Sequence, residues 1–484
     1  IFRKLYDKGY IQPRTQKLLY SEVEQRFLPD RYVTGICPNC GFVEARGDQC
    51  DECGHLYDAV ELIRPRSILD GSSPVVREST HLFFDLPAFS EQLIAYLDAH
   101  AHHWRSHPLN FTRGFIENGL AERPFTRDLD WGIDVPVSGW EGKKLYIWAE
   151  NIIGYLSASI EWAHHIGQPN AWKAWWYDPD AHSYYFLGKD NIPFHTIFWP
   201  SELIGIEQLY EDDPTKRLNL PYDVCANQFL TLEGGKFSTS RNFAVWLPDM
   251  LAAYDPDAIR FYLTAVMPET ADSDFSWADF VQRNNSELVA TWGNLVNRVL
   301  KFAYVHWDGH VPPPGPLRAI DEELLAHVNG AFDRVGDLLS AVKLRPALNE
   351  ALAAARAVNA YLDKAPWFAV VKLDKTAAAT TVYTALCAID AIKVLLAPFL
   401  PFSSEKLHQL LGYTQPLFGC QRITTYHEAT RSHDALVYDA AGAVGRWEPS
   451  RLPVGQQLKR PSPLYQKLDE SIIEAERKKL LAQG

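Results

Sequence analysis

The stretch Gly234-Gly235-Lys236-Phe237-Ser238-Thr239-Ser240-Arg241-Asn242 decides how the rest of the chain is read. Two successive glycines let the backbone turn sharply and come close to a ligand. The residues after them offer two cations, three hydroxyls and backbone N–H groups, with no acid to repel an anion. That inventory suits a polyphosphate, although a Gly-Gly-Lys string taken alone reads first as a polar surface loop. Its surroundings shift the balance. Tyr222 to Leu232 upstream has the apolar character of a strand, and Pro256 to Val266 downstream reads as a helix with an apolar face.

A chain of 484 residues is too long for one compact core, so two to four domains are expected. A hydrophobic content of 47% with 13% aromatic residues is a globular composition. The formal net charge of −13 excludes indiscriminate adhesion to nucleic acid, so any RNA contact must come from a local patch with base recognition. The apolar run Ala385 to Phe402 contains Asp390, Lys393 and two prolines, which fits a buried bundle helix better than a membrane span.

Four of the seven cysteines cluster as Cys37-Pro38-Asn39-Cys40, nine intervening residues, and Cys50-Asp51-Glu52-Cys53. Two such knuckles can place four thiolates at the corners of a tetrahedron, the arrangement zinc prefers. A redox dithiol is the rival reading. Four protein ligands would close the shell and leave no place for water, so the metal is expected to be structural, with iron as a lesser alternative. An odd cysteine count with one tight cluster points to a reducing, cytoplasmic setting. His55 reads as a bystander, and the four histidines from His100 to His107 as a solvated turn.

Along the chain, Ile1 to Gly9 looks like a helix closed by glycine, Val75 to Asp85 like a strand and Phe89 to His103 like a helix. Lys144 to Trp148 reads as a strand continuing into a helix from Ala149 to His164. Tyr184 to Leu187 reads as a second strand, running through Gly188-Lys189-Asp190 into a helix around Phe194 to Leu203. Repetition of strand, turn and helix is the grammar of a doubly wound parallel sheet, whose ligands bind at the carboxyl ends of strands. Trp148, Glu150, Tyr155, Asp190 and His195 then fall near one crevice. From Asp279 to His306 and from Asp321 to Leu411 long amphipathic segments imply a helical bundle. An irregular segment to about Pro463 and a last charged helix from Ser471 to Gln483 complete the chain.

With these features in place, the phosphate loop resembles that of class I aminoacyl-tRNA synthetases, whose Lys-Met-Ser-Lys-Ser motif grips the ATP phosphates. Here the string is Lys236-Phe237-Ser238-Thr239-Ser240, with a threonine at the second lysine. Either Lys236 and Arg241 supply the lost charge, or activation is slower than in relatives with both lysines. The whole chain resembles the methionyl-tRNA synthetase family. The resemblance is carried by the four-cysteine knuckle, Phe27-Leu28-Pro29-Asp30-Arg31, Thr126-Arg127-Asp128, Tyr146-Ile147-Trp148-Ala149-Glu150-Asn151-Ile152-Ile153-Gly154-Tyr155, and Gly188-Lys189-Asp190 with Phe194-His195.

The resemblance implies an α/β class I fold: residues 1–125 as a zinc-binding connective insertion, 126–230 as the second half of a Rossmann-type catalytic domain, 231–285 as the phosphate loop and stem-contact region, and 286–484 as a helical anticodon-binding domain. It implies methionine activation with ATP and Mg²⁺, then transfer to tRNA, by a monomer with no membrane partner. Trp148, Tyr155 and His195 would line the methionine side chain; Gly188, Asp190, Lys236, Thr239 and Arg241 would meet ATP; Lys236, Ser238, Thr239, Ser240 and Arg127 would serve the transition state. A thioether packs well against ring edges, so an aromatic wall with a hydroxyl or imidazole near sulfur makes sense. Asn294 and Arg298, one helical turn apart, would read an anticodon base stacked on Trp367, with a buried bundle tryptophan as the other reading.

The family's His-x-Gly-His signature does not occur in the sequence. The expectation that follows is a fragment lacking an N-terminal portion and unable to form adenylate alone, with undetectable pyrophosphate exchange. The competing class of function is a non-catalytic tRNA- or zinc-binding module built on the same fold.

Overall fold

In the computed structural model the described residues are 1–29, 32–47, 50, 52–53, 57–238, 242–428 and 430–483, with the backbone alone at 148 and 481–483. They form two compact units, Ile1–Ala226 and Asn227–Gly484.

The first unit is built on a long antiparallel pair. Ile11–Ser21 lies beside Val75–Phe84, in register from Ile11 opposite Phe84 to Tyr20 opposite Val75. Short strands Arg26–Phe27 and Arg123–Pro124 complete the sheet on either side. Alternation along Val75–Phe84 turns Ser79 and His81 to one face and Leu82 and Phe84 to the other, and all four are buried. There Phe84 meets Phe89 and Phe125 at 5.5 and 5.6 Å between ring centroids. Outside this sheet a three-stranded sheet, Ala45–Arg46, Val33–Ile36 and Ile63–Ser67, carries the cysteine knuckle over its own small core of Leu19, Leu28, Val33 and Leu62.

The expected parallel sheet of the catalytic half is represented by one pair of strands, Tyr184–Gly188 beside Asp223–Asn227. The segment read as a strand from Lys144 to Trp148 is a strand only at Lys144–Leu145. Tyr146 is extended, and its carbonyl accepts the Ala149 and Glu150 N–H groups, opening the short helix Ile147–Glu150. That backbone turn takes the chain out of the sheet earlier than its run of apolar residues suggests. The histidines at 100–107 are more than a solvated turn: the Tyr222 carbonyl lies 2.8 Å from His103 Nε2, and the two rings stack at 4.3 Å.

In the second unit Leu230–Leu232 runs parallel to Ser273–Phe275. The helix Pro256–Ala265 starts where Asp255 accepts the Asp257 N–H at 2.8 Å and proline occupies the first turn, a combination that satisfies an exposed donor and presets the backbone. Asp257 itself is buried and accepts both the N–H and the hydroxyl of Ser403 at 2.6 Å, tying this helix to the start of Pro401–Leu410. The bundle comprises Asn294–His306, Ala319–Ser340, Leu344–Lys364, Lys375–Leu396 and Pro401–Leu410. Lys375–Leu396 is, among the described residues, the one helix long and apolar enough to cross a membrane, yet 83% of that stretch is buried in the bundle. It is a core helix, and its Lys393 pairs with Asp390 at 2.5 Å.

One segment expected to be irregular is a hairpin: Cys420–His427 pairs antiparallel with Ser432–Asp439. Its β-branched and aromatic residues favour strand, but neither face is consistently buried, so the usual apolar alternation is missing. The final helix, Ser471–Gln483, falls where the charge pattern predicts.

Candidate functional site

In the knuckle the turn after Cys37 is closed by Gly41 N–H on the Cys37 carbonyl at 3.0 Å, with Gly41 at φ +79°, a conformation side chains rarely tolerate. Cys37 Sγ lies 3.9 Å from Cys53 Sγ, and Cys40 Sγ 3.6 Å from Cys50 Sγ. All four sulfurs fall within 4.8 Å of one another and none forms a disulfide. A tetrahedral ion with bonds of about 2.3 Å needs sulfurs about 3.8 Å apart, so the donor set fits zinc. His55 lies outside the described residues.

Within the first unit, His195 sits in a π-helical turn, Phe194–Phe198, that follows the strand Tyr184–Gly188. Its Nδ1 faces the Asn191 carbonyl at 3.0 Å, which can only accept, so Nδ1 carries the proton. Nε2 is therefore an acceptor, and the Tyr155 hydroxyl, 2.8 Å away, donates to it. Burial lowers the His195 pKa and keeps the ring neutral; only the bond to Asn191 opposes this. Tyr155 comes from the helix Gly154–His165 and remains 44% exposed, so the pair stands at an opening rather than in the core. Tyr185 packs edge-on against Tyr155 at 4.9 Å, and its hydroxyl accepts from Trp199 Nε1 at 3.1 Å. Burial pushes the Tyr185 phenol up to about 12. Glu150, on the expected crevice, is half-buried, and burial raises its pKa. The side chain of Trp148 lies outside the described residues.

Gly188 ends its strand where an added Cβ would stand 2.8 Å from Asp190 Oδ1, so glycine lets this carboxylate fold back over the turn. Asp190 is exposed and accepts from Asn191 Nδ2 at 3.2 Å. Arg127 lies over the Tyr146 ring, 4.2 Å from its centroid. Next to it is a cluster that the motifs alone do not single out. Asp128 takes Ser79 Oγ at 2.7 Å and Lys143 Nζ at 2.5 Å, and lies 3.0 Å from His81 Nε2. Burial works against its charge, but the bonds from His81, Lys143 and Ser79 outweigh it and hold the carboxyl well below the usual range. The available signal was the acid of Thr126-Arg127-Asp128 itself, because His81 and Lys143 stand far from it in the chain.

In the second unit, Glu233 at φ +46° and Gly234 at φ +77° turn the chain out of Leu230–Leu232. The Gly234 N–H donates to Asp274 Oδ1 at 2.9 Å. A Cβ on Gly235 would meet Phe243 at 2.9 Å, so the second glycine admits that ring. Ser238 and Phe243 close the loop with reciprocal backbone bonds of 3.0 and 2.9 Å. Lys236 is exposed, while Thr239, Ser240 and Arg241 lie outside the described residues.

In the bundle, Asn294 and Arg298 are both exposed on Asn294–His306. Arg298 donates to Asn359 Oδ1 at 3.2 Å, and its guanidinium carbon lies 5.5 Å from the Trp367 ring centroid. Trp367 itself is buried.

The sequence model described as tRNA synthetases class I (M) matches residues 1–300, and that of the anticodon binding domain of methionyl tRNA ligase matches 311–439. The chain is 55% identical to the methionine–tRNA ligase of Thermomicrobium roseum over 487 aligned positions, covering 100% of this chain and 82% of the relative. The chain belongs to the methionyl-tRNA synthetase family. It is a methionine–tRNA ligase by that relationship, and the relative from Chloroflexus aurantiacus agrees at 49% identity, with 98% and 81% covered. Mycobacterium tuberculosis methionyl-tRNA synthetase bound by methionyl-adenylate shares the fold, with a TM-score of 0.68 at 22% identity over 96% of this chain and 79% of that one. The expectation of an inactive fragment finds no support in these matches, which span the chain and about four-fifths of the ligases' lengths.

Proposed function

We propose that the chain joins methionine to tRNA in two displacements, activation with ATP and then transfer. In the first, a methionine carboxylate oxygen attacks the α-phosphorus of ATP and the bond to pyrophosphate breaks, giving methionyl-adenylate. In the second, a hydroxyl of the terminal adenosine attacks the methionyl carbonyl and AMP leaves. Neither step needs a covalent enzyme intermediate, so positioning and charge stabilisation carry the catalysis.

The observation that supports this reading best is the Tyr155–His195 pair, a hydroxyl donating to a neutral imidazole beside the Tyr185 ring. Polarizable sulfur finds ring edges there, and the fixed tautomer avoids a buried charge beside the thioether. Trp148 is assigned to the same wall. Gly188 and Asp190 are assigned to the nucleotide, Arg127 to the α-phosphate, and Lys236 with Ser238, Thr239, Ser240 and Arg241 to the leaving pyrophosphate, whose charge Mg²⁺ would help neutralise. Cys37, Cys40, Cys50 and Cys53 would hold one structural zinc ion, whose thiolate bonds would brace the insertion. Asn294 and Arg298 are assigned to the anticodon with Trp367. The absence of disulfides among the seven cysteines supports a reducing setting, and the cytoplasm is the compartment we assign.

Equilibrium dialysis with labelled methionine tests the pocket. Tyr155→Phe removes one hydrogen bond and is expected to weaken binding by roughly 2- to 10-fold, and His195→Ala by more. Binding unchanged in both variants would remove the pair from the methionine site.

A further inference from the structure

The second unit holds a cavity that the reactions above do not use. It measures about 330 Å³ and lies between the helix Leu247–Ala253 and the C-terminal helix Ser471–Gln483. That volume is at the small end of the range for sites that take a small molecule. Its apolar walls come from Met250, Leu480 and the rings of Trp246, Tyr254 and Trp277.

The polar groups of the lining are few. Glu476 keeps its side chain 13% exposed, and its Oε1 takes both the Tyr254 hydroxyl at 2.8 Å and the Lys479 ammonium at 2.7 Å. Its Oε2 accepts no hydrogen bond among the described residues. A carboxylate oxygen shielded from water attracts a cationic donor more strongly than an exposed one does. Asp249 adds an exposed carboxylate to the lining, and Lys479 is its only cation among the described residues, so negative charge is in excess. The Trp277 Nε1–H, buried in the wall, has no acceptor among the described residues. Aromatic rings beside carboxylates favour an organic cation, because the ammonium meets ring faces and acid together. An acceptor on the body of that molecule would take the indole N–H. A bare metal ion would leave the apolar walls unused, and a neutral hydrocarbon would leave both polar groups unpaired.

An occupant of this cavity touches both helices that frame the loop opened by Gly234 and Gly235. Leu247–Ala253 begins directly after Trp246, whose Nε1 donates to Asn242 Oδ1 at 3.3 Å. The C-terminal helix sends Arg477 to Glu233 at 2.8 Å, at the other end of the loop. We propose that the cavity binds a small aromatic amine, an ammonium group on a ring bearing a hydrogen-bond acceptor, and that occupancy steadies the loop from Gly234 to Ser238. The inference stands on the cavity and does not depend on what the loop itself binds.

Saturation-transfer NMR of the full chain with para-aminomethylpyridine tests this, with para-pyridylmethanol as the neutral control. The amine is expected to bind at least about tenfold more tightly than the alcohol. Glu476→Gln keeps an acceptor for Tyr254, and it should weaken the amine by roughly 10- to 100-fold while leaving the alcohol unchanged. Asp249→Asn, at an exposed position where folding is not at stake, should weaken the amine by about 2- to 5-fold. Excess methionine should not displace the amine, and amide exchange from Gly234 to Ser238 should slow when the amine is bound. Equal affinity for amine and alcohol, binding of neither, or an amine that both variants bind unchanged would overturn the proposal. So would displacement by methionine, which would move the amine to the first unit, or exchange in the loop that the bound amine leaves unaltered.

Discussion

Arg477, on the last helix, donates its Nε–H to Glu233 Oε2 at 2.8 Å, at the foot of the loop that Gly234 and Gly235 open. The other oxygen of Glu233 accepts the Trp277 N–H at 2.7 Å, and its own N–H bonds the Phe275 carbonyl at 2.8 Å. One left-handed residue is thus held by the parallel strand, by the helix Trp277–Arg283 and by the C-terminal helix. Arg477 is partly exposed, so the pair contributes modestly to global stability. Arg477→Met is expected to cost no more than about 1 kcal/mol of unfolding free energy. It should nevertheless speed hydrogen exchange at the amides of Gly234 to Ser238. Unchanged exchange there would mean the loop is held without the C-terminal helix.

Glu202 lies on Trp199–Ile206, fully buried, and neither carboxylate oxygen has a hydrogen-bond partner among the described residues. Burial raises its pKa well above 4.5. The folded state holds this proton to higher pH than the unfolded chain, so its contribution to stability is full below pH 4.5 and declines as pH rises. Glu202→Leu is expected to stabilise the chain at neutral pH by about 1–3 kcal/mol, the scale of burying a polar group without a partner. Chemical denaturation at pH 5 and pH 8 measures this, and a destabilised variant at pH 8 would contradict it.

The bundle has the opposite dependence. His408 Nδ1 faces the Lys393 ammonium at 2.9 Å and Nε2 faces the Gln415 carbonyl at 3.1 Å. Burial first, and the Lys393 charge second, push His408 down from 6.5 to about 4 against the pull of Asp390 and Glu405. The unfolded chain therefore takes up this proton first as pH falls. Stability is intact above pH 6.5 and is lost as pH drops toward 4. His408→Gln should flatten the acid limb of a plot of melting temperature against pH, and an unaltered limb would exclude His408 as its source.

Much of this was legible from the sequence, and the failures have physical causes. Pro256–Ala265 announces itself through its apolar face and Ser471–Gln483 through its charge pattern. The knuckle is visible because a metal fixes cysteine spacing. The hairpin Cys420–His427 with Ser432–Asp439 was missed because it lacks a consistently buried face, so no alternation marks it. Tyr155 and His195 are 40 residues apart, and the repeated strand-turn-helix order placed both near one crevice without revealing the hydrogen bond between them. A buried bundle tryptophan was one of two readings of Trp367, and the sequence could not choose because two adjacent aromatic residues give no hint of which one turns inward.

Trp367 is packed into the bundle, so its replacement reads on folding. As a buried ring with a satisfied N–H, it should cost about 3–5 kcal/mol of stability on replacement by alanine. Urea unfolding of Trp367→Ala is the check, and a loss under 1 kcal/mol, roughly that of a surface change, would show that the ring is not part of the bundle core.

Metal removal tests the knuckle by itself. Elemental analysis is expected to find one zinc per chain, lost in Cys50→Ser, with disorder confined to the knuckle sheet when the ion is chelated. Retention of full zinc by Cys50→Ser would contradict the four-sulfur site.

The account's central claim is specificity for methionine, and it is tested most directly by titrating the chain calorimetrically with a non-hydrolysable methionyl-adenylate analogue and with its leucyl and cysteinyl counterparts. The account predicts that the methionyl compound binds at least about tenfold more tightly than either, a difference of about 1.4 kcal/mol. Equal affinity for all three would contradict it.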